Sequence, residues 1–147
     1  MTKMKTIFKK YFQLKYFVLL CCIEFAFAAH AQNIQTDKIQ WNATGFTDLN
    51  HNTVVNNAPC QFISTGNQID WVQGDGSYVN SFAVLTTSGT WPDLSKSGSI
   101  ILSVKADVLT GDITLSRDSN GITIKLVLAG GTNPINIVYA ISMIEKL

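Results

Sequence analysis

From residue 99 to the C-terminus the chain alternates apolar and polar residues almost without a break. This pattern constrains the fold more than any other feature. In "SIILSVKADVL", Ser99 to Leu109, residues Ile100, Leu102, Val104, Ala106 and Val108 share one face. Ser103, Lys105 and Asp107 share the other, and Ile101 is the exception. "DITLSRD" continues with Ile113 and Leu115, and "GITIKLVLA" with Ile122, Ile124, Leu126 and Leu128. "INIVYAISMI" puts Ile135, Ile137, Tyr139, Ile141 and Met143 together; Val138, Ala140 and Ile144 make its second face apolar too, as in a strand covered on both sides. A period of two is the signature of strands with one buried face.

Turn residues separate these runs. "TGD" at Thr110 to Asp112, "SNG" at Ser119 to Gly121 and "GGTNP" at Gly130 to Pro134 carry the Gly and Asn that tolerate positive φ. The last four runs therefore read as consecutive antiparallel hairpins. The first half is less regular. "KIQWNATGF", "TVV" near Val54, "CQFIS" near Phe62, "NQIDWVQ" and "SYVNSFAVLTT" read as further strands, with "GDG" at Gly74 to Gly76 as a turn. The expectation is an all-β domain: an antiparallel meander of eight or nine strands and no helix. One-faced strands must bury that face against a second layer or close on themselves. Short sequential turns favour closure into a small up-and-down β-barrel, which leaves no free edge. A two-sheet β-sandwich is the alternative. The long connection "SGTWPDLSKSG", Ser88 to Gly98, could cross between sheets or cap a barrel mouth.

The N-terminus has a different character. Five lysines between Lys3 and Lys15 precede the apolar run "YFVLLCCI", and "FAFAAHAQ" follows. A basic start, a short apolar stretch and small residues at Ala29 and Ala31 predict a secretory signal peptide over residues 1–31, removed after Ala31. A membrane span needs roughly 20 apolar residues, and Glu24 and His30 interrupt this run. Lipid attachment at Cys21 or Cys22 is the alternative, as a membrane-tethered lipoprotein. The small residue that such processing usually wants before the cysteine is missing, since Leu20 precedes Cys21. The predicted mature domain, 32–147, is long enough to bury a core. It has six basic against nine acidic residues, a net charge of −3, which argues against nucleic acid or an anionic membrane as partner. It keeps one cysteine, Cys60, so it has no internal disulfide. Cys60 reads as a small buried apolar residue.

Catalytic chemistry is sparse. The mature domain has one His, His51, and one Glu, Glu145, and none of the phosphate-loop, zinc-protease or serine-hydrolase motifs. A thiol enzyme would need His51 and Cys60 to meet. "DLNHNT", Asp48 to Thr53, begins like a calcium loop, but Thr53 stands where Gly is needed and Pro59 where Glu is needed. A polar turn is the simpler reading. A glycosidase pair could come from Asp70, Asp75, Asp93, Asp107 or Asp112, all on polar faces or in turns. "NAT" at Asn42 fits a glycosylation acceptor, relevant only in a eukaryotic secretory pathway. No metal site and no cofactor are expected.

The aromatics carry the remaining signal. Trp41 and Trp71 lie on apolar strand faces, whereas Trp91 lies in the long connection beside Pro92 and Asp93. Trp91, Asp93, Tyr78 and Trp71 are the candidate ligand-binding residues, with plugging the end of the core as the competing role for Trp91. The meander together with "GTW", Gly89 to Trp91, resembles the lipocalins, in which a Gly-x-Trp motif marks the barrel. In lipocalins that motif belongs to the first strand, whereas here several strands precede it and Pro92 follows. The resemblance therefore extends to a lipocalin-like barrel shape and not to membership.

These observations favour an exported, non-enzymatic domain that binds a small apolar molecule or a glycan. A structural or surface-interaction protein without a small-molecule site is the alternative. An outer-membrane barrel would need a band of apolar and aromatic residues facing outward. The strands carry few interface aromatics and the chain ends "EKL", so no stable membrane insertion is expected. The oligomeric state is not written in the sequence.

Overall fold

The computed structural model describes residues 34–147. The expected leader, with Cys21 and Cys22, lies outside the described residues. Eight strands follow in order: β1 (Ile39–Asp48), β2 (Thr53–Ser64), β3 (Gln68–Gln73), β4 (Tyr78–Thr90), β5 (Gly98–Ala106), β6 (Leu109–Asp118), β7 (Gly121–Ala129) and β8 (Ile135–Lys146). Each pairs antiparallel with the next, and β8 pairs with β1, so the sheet closes into an up-and-down barrel. The barrel, not the sandwich, is the fold. Among the described residues no helix is long and apolar enough to cross a membrane.

The ladders show why closure works. Residues directly opposite one another share a face. Trp41, Phe62 and Trp71 are successive partners across β1, β2 and β3. Ile100, Leu115, Ile124 and Tyr139 are successive partners across β5 to β8. All of these point inward and are buried. The core holds twenty buried apolar residues and one buried polar residue, Ser64, so the interior is a packed apolar column with almost no polar content. Each fully buried large side chain stabilises the fold by roughly 1.5–3 kcal/mol. Ser64 takes the indole N–H of Trp41 at 2.9 Å, which satisfies both groups.

Several local readings are corrected. The β5–β6 hairpin turns at Asp107 and Val108, not at "TGD": Asp107 adopts φ 48°, and Val108 is exposed in the turn instead of pointing inward. Gly111 lies within β6. It is a glycine because a Cβ there would collide with the Val127 carbonyl oxygen across the ladder. "TVV" and "CQFIS" belong to one strand, β2. The register slips between Ala43 and Gly45, and Asn57 at φ 60° lies opposite that slip. Met143 is exposed, not inward, because irregularities around Asn42 and Ala43 shift the β1–β8 register and turn Ile144 toward Trp41 instead. Ala140 is exposed as well, so β8 is not covered along both faces.

The two ends differ. One, the lower end, carries the segment before β1 and the 91–97 loop; there Ile34, Trp91 and Leu94 are buried as a plug. The other, the upper end, carries the turns 49–52, 74–77, 107–108 and 130–134. Every residue in those four turns is exposed. β3 is short, so β2 overruns it at the upper end by 53–59, and β4 overruns it at the lower end. Such stagger is what strand tilt in a closed barrel requires.

Candidate functional site

At the lower end Trp91 is fixed from several sides. Its ring centroid lies 6.0 Å from that of Trp41, and its indole N–H donates to the Lys96 carbonyl at 2.9 Å. Gly98 leaves room for it, since a Cβ at that position would overlap the Trp91 ring. Arg117 holds the same loop by donating to the Leu94 carbonyl at 2.5 Å. Asp93 organises the turn: its carboxylate accepts from the Ser95 backbone N–H at 2.9 Å and the Ser95 hydroxyl at 2.6 Å, and pairs with Lys96 at 3.2 Å. The Ser95 hydroxyl, first among these, draws the Asp93 carboxyl below its usual range. Trp91 and Asp93 thus build a lid that closes the lower end.

The upper end is different in kind. Four rings meet inside it. Phe62 stacks on Trp71 with centroids 6.2 Å apart and planes 4° apart. Tyr139 stands edge-on to Phe62 at 5.1 Å and to Trp71 at 6.0 Å. Phe46 lies 5.4 Å from Tyr139. Edge-on and offset contacts are the favoured ring arrangements. Cys60, buried, joins the group. Burial pushes its thiol up to about 11, and burial likewise holds the Tyr139 phenol far above its ordinary range. Both groups are therefore neutral at physiological pH.

One atom in this cluster is unsatisfied. Trp71 is 7% exposed, and its Nε1 is buried without a hydrogen-bond partner. The N–H lies close enough to Cys60 and Tyr139 to draw both pKa values slightly down, yet it makes a formed hydrogen bond to neither. The other two indoles have theirs, at Ser64 and Lys96. An unpaired buried donor costs about 1–3 kcal/mol.

The rim above this cluster is most exposed on the β3–β4 side. Asn80, the direct partner of Trp71, faces inward by register but is exposed, and so is Tyr78, the partner of Gln73, at 72%. On the opposite side the rim is clasped: the Asn50 amide donates to the Pro134 carbonyl at 2.7 Å, and the Leu49 N–H to the Asn136 carbonyl at 2.8 Å. The mouth therefore lies at the β3–β4 hairpin. Of the four residues singled out from the sequence, Trp71 and Tyr78 belong to this mouth, while Trp91 and Asp93 seal the opposite end. Tyr139, Phe46, Phe62 and Cys60 complete the cluster. Tyr139 was legible as an inward residue with a polar tip. The inward direction of Phe46 was hidden by the register slip beside it.

The remaining candidates are dispersed. His51 pairs with Asp48 at 2.7 Å in an exposed turn, while Cys60 faces the interior. Asp48 also accepts the Asn50 and His51 backbone N–H groups, so "DLNHNT" is a self-bonded polar turn. Asp70 and Asp112 face outward, bonded to Gln68 and Ser103. Among the described residues, no three His, Cys, Asp or Glu side chains converge as metal ligands. A cleft of about 190 Å³ lies beside Gly45 and Phe46, between Thr47, Val54, Asn56 and Val138.

Fold and site together define a small closed β-barrel, plugged at one end and aromatic-lined at the other. No family model matches the chain, and no curated protein matches it.

Proposed function

We propose that the protein is an exported, non-enzymatic binding domain that takes a small apolar molecule at the upper end of its barrel. The single observation that carries this reading is the polarity of the two ends. The lower end is plugged by Trp91 and Leu94, while at the upper end a buried aromatic cluster lies beneath a rim on which Tyr78 and Asn80 are exposed. Eight strands enclose an interior that side chains fill or that holds one small ligand, and a ligand of this barrel would enter from the end that is not plugged. Trp91, buried against Trp41, offers no face to a sugar, which weighs toward the apolar class over the glycan. The outward faces of β5 to β7 carry Ser99, Lys105, Asp112, Thr114, Ser116 and Lys125 around the exposed Ile101 and Val127, a mostly polar face that suits water better than lipid. Export rests on the leader pattern alone.

The experiment is a titration of the purified protein with the neutral fluorophore N-phenyl-1-naphthylamine. The expected result is saturable 1:1 binding, weakened by Trp71→Ala and kept in Asp93→Ala. No saturable binding, or equal loss in both variants, would remove the upper-end site.

A further inference from the structure

Building on the reading just given, we infer that the ligand carries a hydrogen-bond acceptor, a carbonyl or ether oxygen on an apolar body, and that the Trp71 indole N–H receives it. The upper cluster offers donors without charge. Indole N–H is a donor only, whereas the neighbouring Tyr139 hydroxyl and Cys60 thiol can each donate or accept. Among the described residues, Lys, Arg and His are absent from the buried core, and Asp and Glu are too. An anionic ligand would therefore be buried without a counter-charge, and a cation without a carboxylate, and both are costly. A plain hydrocarbon would leave the N–H as unsatisfied as it is now. A neutral acceptor is the one chemical class that both fits the apolar walls and satisfies the orphaned donor.

The contrast among the three tryptophans sharpens the point. Trp41 and Trp91, which serve packing, have their N–H groups bonded at 2.9 Å each, and Trp71 alone, at the mouth, does not. Buried polar groups in native proteins are overwhelmingly paired, and an exception calls for an explanation. A site built to bond an acceptor also discriminates against analogues that lack it, because the donor is then left unpaired.

The test uses the ¹⁵N-labelled full-length protein, with 2-octanone and 1-octene as matched probes at equal fractions of their aqueous saturation. The three indole N–H signals are followed by two-dimensional ¹H–¹⁵N NMR and assigned with Trp→Phe variants. With 2-octanone, the Trp71 indole proton is expected to move downfield while those of Trp41 and Trp91 stay in place. The ketone is expected to bind about tenfold tighter than the alkene, and Trp71→Phe to abolish that preference. Equal binding of both probes with an unmoved Trp71 signal would overturn the acceptor inference and leave apolar binding standing. No binding of either probe would overturn both.

Discussion

Replacing Trp71 by Phe, and in a second protein Trp41 by Phe, separates two indoles that differ chiefly in what their N–H groups do. Both changes remove the same ring atoms from a buried site, and at about 24 cal/mol per Å³ of cavity each loses roughly 1–2 kcal/mol of packing. For Trp41 the loss is compounded. Its N–H is bonded to the Ser64 hydroxyl at 2.9 Å, and Ser64 is buried, with only a 3.5 Å contact to the Ile39 carbonyl besides. Stranding that hydroxyl adds about 1–3 kcal/mol. For Trp71 the sign reverses, because the change removes a donor that already lacks a partner. A penalty of about 1–3 kcal/mol then disappears with it. Trp41→Phe should therefore destabilise by roughly 2–5 kcal/mol, and Trp71→Phe by no more than about 1 kcal/mol. Urea unfolding followed by far-ultraviolet circular dichroism, fitted with a common m-value, reads the difference as a separation of midpoints. If Trp71→Phe costs as much as Trp41→Phe, the Trp71 N–H is satisfied in the fold and the reasoning fails.

Three further outcomes follow from the same geometry. Gly98→Ala should destabilise by about 1–3 kcal/mol or more through collision with the Trp91 ring, visible as a lowered thermal midpoint and a shifted tryptophan emission; an unchanged midpoint would mean that Trp91 is not locked there. Stability should fall as pH rises from about 8.5, because the unfolded Cys60 thiol ionises there while the folded one holds its proton to about 11. The unfolded state then binds fewer protons, the loss reaches about 3 kcal/mol at most, and Cys60→Ala should flatten the slope below pH 10. Mass spectrometry of the exported protein should find Gln32 at its N-terminus; a lipid-modified mass starting at Cys21 or Cys22 would instead make it a tethered lipoprotein.

The barrel was legible because alternation survives wherever a strand has one wet and one dry face, as along β5 to β7. The misreadings sit where a register slip or a turn breaks the period. At Asp107 a non-glycine residue takes the positive φ of a hairpin, so the glycine three residues beyond the turn drew attention to the wrong place. At Ala43 to Gly45 the slip separates Phe46 from the rhythm of Ile39 and Trp41, which hid its place among the rings. Of the site, Trp71 was readable as an inward aromatic. Its missing partner was not, because whether an indole N–H meets a Ser64 or nothing depends on contacts across strands 23 residues apart, not on local pattern.

The most direct test of the central claim is a crystal structure of the protein soaked with 2-octanone. The account predicts the ketone at the β3–β4 mouth, its oxygen within about 3.2 Å of Trp71 Nε1 and its chain against Phe46 and Tyr139. A ketone whose oxygen lies away from Trp71 Nε1, or one found behind Trp91 at the lower end, would contradict it.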